Sequence, residues 1–473
     1  MFMAESLINW GNVILWSYVL IVLLVGMGIY FTFKTKFVQV TNLKEMFRLL
    51  KESPPTRNGK KQVSSFGAFC ISAASRIGTG NLAGVAIAIT LGGPGAVFWM
   101  WVVAIFSAAL SFIESTLAQV YKVKDSNGFK GGPAYYMEKA LGARWMGVLF
   151  ALLITFCFGL AFNSVQANTI SIAFEEAFNT NRLVIGVILT ALTAVVIFGG
   201  VNRIAKVSQV VVPVMTVFYL LLAVYIVILN IGELPRIIGL ILTSAFGLNE
   251  AVAGGIGAAI MNGVKRGLFS NEAGMGSAPV AAATADVSHP AKQGFIQTLG
   301  VFVDTLLICS ATAFIILLSG ISGEGLGGIQ LTQSALASHV GPWASIFVAI
   351  TILLLCFSSI IGNYYYAESN IGFINENKLA ILIFRLAVLG MVLFGSLSNL
   401  SMVWNLADLF MALMAITNLI ALALIGKIAL AVLKDYVKQK KEGKEPVFYA
   451  SNIKGLKNVE CWKDEKTEVR KEA

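Results

Sequence analysis

The chain has 473 residues, 57% of them hydrophobic and 13% charged. Soluble globular chains carry about 25% charged residues, so a deficit spread along most of the length excludes an ordinary soluble protein and predicts an all-α polytopic membrane protein. The formal charge of +10 is assigned to short loops and a tail on one membrane face rather than to a nucleic-acid partner, because Lys and Arg collect in cytoplasmic loops.

Four of the five cysteines, Cys70, Cys157, Cys309 and Cys356, lie in apolar runs, and Cys461 lies in a polar tail. No CxxC or Cys/His spacing is present, and His289 and His339 are the only histidines. The pattern speaks against zinc or haem and for packing cysteines. The N-terminal segment lacks a basic leading region and a cleavage site, so it is read as a retained helix.

In chain order, residues 1–33 are expected to form an outer N-terminus and a first helix from about Ile14 to Phe33. Residues 34–65 are expected to form a basic cytoplasmic loop with a short surface helix near Leu43–Leu50, ended by Ser53-Pro54-Pro55. Residues 66–230 hold five predicted spans: Phe66–Thr90, Ala96–Tyr121, Trp145–Phe174, Leu183–Gly199 and Val207–Leu229. Residues 231–250 read as an outer connection with a short helix at Ile237–Phe246.

Residues 251–433 hold five more predicted spans: Ala251–Ala285, Gly294–Leu318, Trp343–Ala367, Leu379–Ser396 and Trp404–Leu433. A Gly-rich outer loop is expected over Ser319–Gly341. Residues 434–473 are a basic cytoplasmic tail. The count is about eleven spans at roughly 20 residues each. The alternation of basic loops puts the N-terminus outside and the C-terminus in the cytoplasm of a cell (inner) membrane.

Two spans are interrupted. The first carries Ser75-Arg76-Ile77-Gly78-Thr79-Gly80-Asn81, and the second Ser270-Asn271-Glu272-Ala273-Gly274-Met275-Gly276-Ser277. Unwound backbone at membrane depth is tolerated only inside protein or along a cavity. A pair of broken helices, each opening a set of five, is the layout of inverted-repeat secondary transporters.

In the first break the N–H groups of Thr79, Gly80 and Asn81 would begin a half-helix that attracts a carboxylate. Freed carbonyls near Ala74 and Ile77 would suit a hard cation such as sodium. Glycines that serve only close packing are the plain alternative. Gly78-x-Gly80-x-x-Ala83 mimics a dinucleotide fingerprint but lacks its βαβ context.

In the second break, backbone at Gly274, Met275, Gly276 and Ser277 is expected to meet a zwitterion. Lys265, Arg266 and Glu272 are costly charges within a span, and Arg266 with Glu272 is the expected internal pair. Asn163 and Gln166 share a helix face. Ser358, Ser359 and Asn363 lie on another span, where hydroxyls also bond back to their own helix. Glu114 and Asp304 are buried acids, read as ion-pathway groups or as partners of Lys and Arg.

The strings Gly78-Thr79-Gly80-Asn81-Leu82-Ala83-Gly84-Val85-Ala86, Gly92-Gly93-Pro94-Gly95-Ala96-Val97-Phe98-Trp99-Met100-Trp101, Gly131-Gly132-Pro133-Ala134-Tyr135-Tyr136, Val165-Gln166-Ala167-Asn168 and Asn271-Glu272-Ala273-Gly274-Met275-Gly276-Ser277 resemble the alanine/glycine:cation symporter family over nearly the whole membrane region. The resemblance implies a 5+5 inverted-repeat fold, like that of neurotransmitter:sodium symporters, with an extra N-terminal helix. It implies sodium as the co-transported ion and a small neutral amino acid as cargo, alanine or glycine first, with glutamine as the alternative.

By resemblance, Thr79 and Gly80 would bind the cargo carboxylate. The Ala74 and Ile77 carbonyls would hold sodium with Ser358 and Ser359. Asn81 would touch cargo or a second cation, and Gln166, Gly274–Ser277 and Asn363 would line the pocket. Asn363 stands where a tryptophan is common in the family. An ion channel is the rival from another class. An enzyme is disfavoured, since no catalytic set converges.

Overall fold

The structure is a computed structural model. It describes residues 2–52, 56–57, 60–125, 128–199, 201–247, 255–321, 323, 325–375 and 377–462. Ser53-Pro54-Pro55, the start of the second interrupted span at 251–254 and the tail from 463 lie outside the described residues.

The described chain is almost wholly helical. Helix α1 is Glu5–Lys34. Short helices α2 (Val38–Thr41) and α3 (Leu43–Leu50) follow, the latter where the sequence placed a surface helix. Met46 and Leu49 bury one face of α3 against the bundle. The first interrupted span divides into α4 (Ser65–Arg76) and α5 (Gly80–Gly92). Then come α6 (Gly95–Val120), α7 (Pro133–Leu141), α8 (Arg144–Phe178), α9 (Arg182–Gly199), α10 (Val201–Leu229) and α11 (Leu234–Ala245).

The second interrupted span divides into α12 (Gly255–Asn271) and α13 (Ala278–Ala283). The chain ends with α14 (Ala291–Ser319), α15 (Ile329–Val340), α16 (Trp343–Ile374), α17 (Lys378–Leu397) and α18 (Leu400–Lys441). Two short antiparallel ribbons complete the set. Strand β1 (Thr56–Arg57) pairs with β2 (Lys60–Lys61) in the register Thr56–Lys61, and β3 (Val123–Asp125) pairs with β4 (Gly128–Lys130) in the register Val123–Lys130.

Among the described residues, 8 helices are long and apolar enough to cross a membrane, or 9 if the pair Pro213–Leu229 and Ile231–Ala245, bent by 75°, is one span. The interrupted spans are not in that count because each is cut into pieces of 17 residues or fewer, shorter than the roughly 20 a span requires. One expectation needs correction: the Gly-rich stretch 319–341 is not only a loop. It contains α15, which buries Ile329, Leu331 and Leu336 and donates from the Thr332 hydroxyl to the Leu82 carbonyl at 3.1 Å. The glycines before it masked a helical apolar pattern.

Burial separates scaffold from core. Only 22% of the apolar window of α1 is buried, against 67% for α6 and 61% for α8 and α16. Helices α12 and α14 pack on α6, and α8 packs on α16, so both breaks sit among the most enclosed helices.

At one end of the bundle, the start of α1 meets the start of α18, where Asn12 Nδ2 donates to the Asn405 carbonyl and Trp16 Nε1 to the Asp408 carbonyl. At the other end, the chain beyond α18 folds back. Phe448 and Trp462 are buried there, with the Phe448 N–H on the Ser288 carbonyl and Trp462 Nε1 on the Gln119 carbonyl. Burial works to raise the Glu45 carboxyl at this end, but hydrogen bonds from Arg48 and Tyr436 win and hold it down at about 2.

Candidate cargo and cation site between two broken helices

The first break begins where Ile77 leaves the helix in an extended conformation. The carbonyls of Ala74 and Ile77 lose helical partners there, and one hydroxyl serves both. Ser359 Oγ on α16 lies 2.9 Å from the Ala74 carbonyl and 3.4 Å from the Ile77 carbonyl. Its own Leu355 carbonyl is 3.1 Å away. A hydroxyl has a single hydrogen, so the freed Ala74 and Ile77 carbonyls compete for one hydrogen, which also lies within reach of a Leu355 carbonyl already met by Ser358. That donor set fits a hard monovalent cation better than it fits itself. Ser358 differs, since its hydroxyl bonds the Leu355 carbonyl of its own helix at 2.7 Å.

Gly78 is where close approach matters. A Cβ at this position would stand 2.6 Å from Ser359 Oγ and 3.0 Å from Gln166 Oε1, so any side chain here would displace the hydroxyl from the carbonyls. Gln166 Oε1 accepts from the Thr79 N–H at 3.2 Å and from Thr79 Oγ1 at 2.8 Å. Asn81 folds back, its Oδ1 accepting from the Gly78 N–H at 3.0 Å. Its Nδ2 donates to Asp304 Oδ1 at 2.7 Å and to Ser270 Oγ at 3.1 Å. Gly80 is packed under Phe269.

The second break is organised differently from the sequence expectation. The N–H groups of Gly274 and Gly276 do not await a ligand: they donate to Glu114 Oε1 and Oε2 at 3.0 and 3.1 Å. Asn418 Nδ2 donates to Glu114 Oε2 at 2.8 Å and to the Gly274 carbonyl at 2.9 Å, and Tyr136 donates to Asn418 Oδ1. Buried backbone groups in an apolar interior must be satisfied internally, and one carboxylate on α6 does this for two of them. Gly274 and Gly276 take φ of +87° and +88°, which a side chain would strain. Met275 is fully buried beside them. Ser277 Oγ donates to Glu272 Oε2 at 2.6 Å.

The expected Arg266–Glu272 pair is also corrected. Arg266 pairs with Asp408 on α18, and Lys265 Nζ stands 3.7 Å from the same carboxylate. Positions 266 and 272 fall on different faces of a 3.6-residue helix, and the break then turns Glu272 away. The sequence signal for Asp408 was a lone acid in an apolar helix. The Arg266 guanidinium lies 4.4 Å from the centre of the Trp404 ring. Trp404, Phe269 and Phe162 form a continuous row of tilted rings, with centroids 4.6 and 4.5 Å apart and planes inclined by 44° and 34°. Phe269 in this row packs on Gly80, and Trp404 on the Arg266 guanidinium.

Residues 1–450 match the model of the sodium:alanine symporter family. The chain belongs to that family. This symporter is 58% identical over 468 residues to the probable sodium/glutamine symporter GlnT of Bacillus subtilis (strain 168), covering 98% of each chain. It is 57% identical over 465 residues to the amino-acid carrier protein AlsT of the same organism, covering 98% of this chain and 99% of that one. It is 37% identical over 441 residues to the sodium/alanine symporter AgcS of Methanococcus maripaludis, covering 91% and 97%.

Among solved structures, a mutant of the Eremococcus coleocola manganese transporter aligns with a TM-score of 0.55 at 13% identity, over 84% of this symporter and 91% of that chain. That likeness shows the fold alone. The symporter is thus a multi-pass membrane protein with a secondary-transporter fold.

Proposed function

We propose that this symporter couples inward sodium movement to uptake of a small neutral amino acid, alanine or glycine first, by alternating access. The observation that carries the reading is the Ser359 hydroxyl set between the Ala74 and Ile77 carbonyls at the first break. Sodium at that point, completed by Ser358, would join α4 to α16 and fix the break. Thr79, Gly80 and Asn81 then present the start of α5 to a carboxylate. Gln166 holds Thr79 until cargo displaces it. The segment Gly274–Ser277 and Asn363 form the opposite wall. The sodium gradient supplies the work, and no further cofactor is required.

The N-terminus is assigned to the outside and the C-terminus to the cytoplasm of the cell membrane by the distribution of Lys and Arg. Glutamine is the second reading, favoured by the 58% identity to a probable sodium/glutamine symporter. The test is uptake of labelled alanine, glycine and glutamine into proteoliposomes, with and without an inward sodium gradient. Gradient-driven accumulation of alanine or glycine is expected. Accumulation of glutamine alone transfers the cargo to the second reading, and accumulation of none overturns both.

A further inference from the structure

Three carboxylates are buried around the breaks, and their oxygens meet different partners. Glu114 is met only by donors: two backbone N–H groups and the Asn418 amide. Asp304 is likewise met by the Asn81 amide and by the Ser270 and Thr305 hydroxyls. Glu272 is not. Its Oε2 accepts from Ser277, but its Oε1 stands 2.9 Å from Ser75 Oγ, which in turn stands 2.8 Å from Asn363 Oδ1.

The direction of this chain is set from its far end. The Gly159 carbonyl can only accept, so Asn163 must present Nδ2 to it, at 3.0 Å. Asn163 Oδ1 therefore faces Asn363, which must present Nδ2, at 3.2 Å. Asn363 Oδ1 is left facing Ser75 and takes the single hydrogen of that hydroxyl. Ser75 Oγ then has only lone pairs to offer Glu272 Oε1. If Ser75 instead donated to Glu272, the same deficit would move to Asn363.

The network is short of one hydrogen, and a proton on Glu272 Oε1 supplies it, so that every link from Glu272 through Ser75, Asn363 and Asn163 to Gly159 joins a donor to an acceptor.

We propose that Glu272 is a proton-binding site of the transport cycle. It takes up a proton when α4, the second break and α16 are drawn together, and releases it when they part. The inference rests on the transport reading above. Ser75, Glu272 and Asn363 come from these three different elements, so the site exists only while they meet.

The charged and titratable groups facing Glu272 are Arg76 on α4, Asp304 on α14, the Cys157 thiol on α8 and the Tyr366 phenol on α16. Arg76 brings one positive charge to a region holding Glu114, Asp304 and Glu272. A neutral Glu272 lowers that imbalance in a medium where unpaired charge is costly. Glu272 also adopts φ of +56°, a conformation costly for a non-glycine residue and retained where the surroundings fix it.

The test follows lumenal pH in proteoliposomes with the membrane potential clamped, using sodium with alanine or glutamine as the cargo probe. About one proton per cargo molecule is expected to move. Lumenal acidification would mean the proton travels with cargo, and alkalinisation that it returns on the empty carrier. In Glu272→Gln the ratio of protons to cargo is expected to fall to about zero. Cargo entry without proton movement in the parent protein, or an unchanged ratio in Glu272→Gln, overturns the proposal.

A second readout does not depend on transport. With sodium and cargo bound, the infrared spectrum should show a protonated carboxylic acid band that Ser75→Ala displaces. Lack of that band overturns the proposal even if Glu272→Gln does not fold. Failure of the parent protein to accumulate any cargo, with the band present, would instead sink the transport reading.

Discussion

The two breaks in this symporter solve one problem in opposite ways. Each must place unwound backbone inside an apolar bundle, where every free N–H and carbonyl demands a partner. The first break leaves its oxygens crowded around the Ser359 hydroxyl with too few hydrogens. The second is closed by a fixed carboxylate, Glu114, and by Asn418. A region left wanting a positive charge suits a passing ion. A region already satisfied suits a hinge or wall. On the proposed function, sodium meets the first break, while the Gly274–Gly276 backbone of the second is held by Glu114 and Asn418.

The largest expected effect breaks the support. Glu114→Ala removes the acceptor of two backbone N–H groups and an amide, all buried. At about 1–3 kcal/mol for each of the three stranded donors, the loss is roughly 3–9 kcal/mol. Thermal unfolding in detergent should show a collapse in melting temperature, with Glu114→Gln intermediate because one acceptor oxygen remains. Equal and small effects of both changes would mean that the second break is not held by this carboxylate.

The next effect falls on the first break and on function rather than folding. Gly78→Ala introduces a Cβ 2.6 Å from Ser359 Oγ. The hydroxyl must turn or shift away from the Ala74 and Ile77 carbonyls. A displacement approaching 1 Å in a positioned group costs about a hundredfold in rate. Sodium-driven uptake should fall by about that factor while the melting temperature stays within a few degrees. A fall in stability without loss of sodium activation would contradict the assignment.

Much of this was legible in the sequence, and the exceptions have physical reasons. Both breaks were visible because glycine and polar residues interrupt apolar runs. Ala74, Ile77 and Ser359 do come together, as the resemblance implied. The partners of Glu114 were not legible, because an acid can meet a cation, an ion or a backbone N–H, and only the fold chooses among them. Nearness along the chain points Arg266 to Glu272, whereas helix phase turns it toward Asp408. Asp408 lies 142 residues away from it. Helix α15 is not legible in the sequence because glycines preceding a short helix read as loop.

The smallest expected effects sharpen the comparison within one helix. Ser359→Ala removes the hydroxyl that bonds the two freed carbonyls, and should raise the sodium concentration for half-maximal uptake about tenfold, equivalent to about 1.4 kcal/mol. Ser358 is one residue before it, about 100° around the helix, and its hydroxyl is already bonded to Leu355. It would complete the proposed cation shell only on release of that bond. Ser358→Ala should therefore change sodium activation by no more than about threefold, the equivalent of about 0.7 kcal/mol. Sodium titrations of uptake at saturating cargo separate the two. An effect of Ser358→Ala equal to that of Ser359→Ala would mean that the Ser358 hydroxyl turns inward when sodium binds, and that the first break is completed by the ion rather than formed before it.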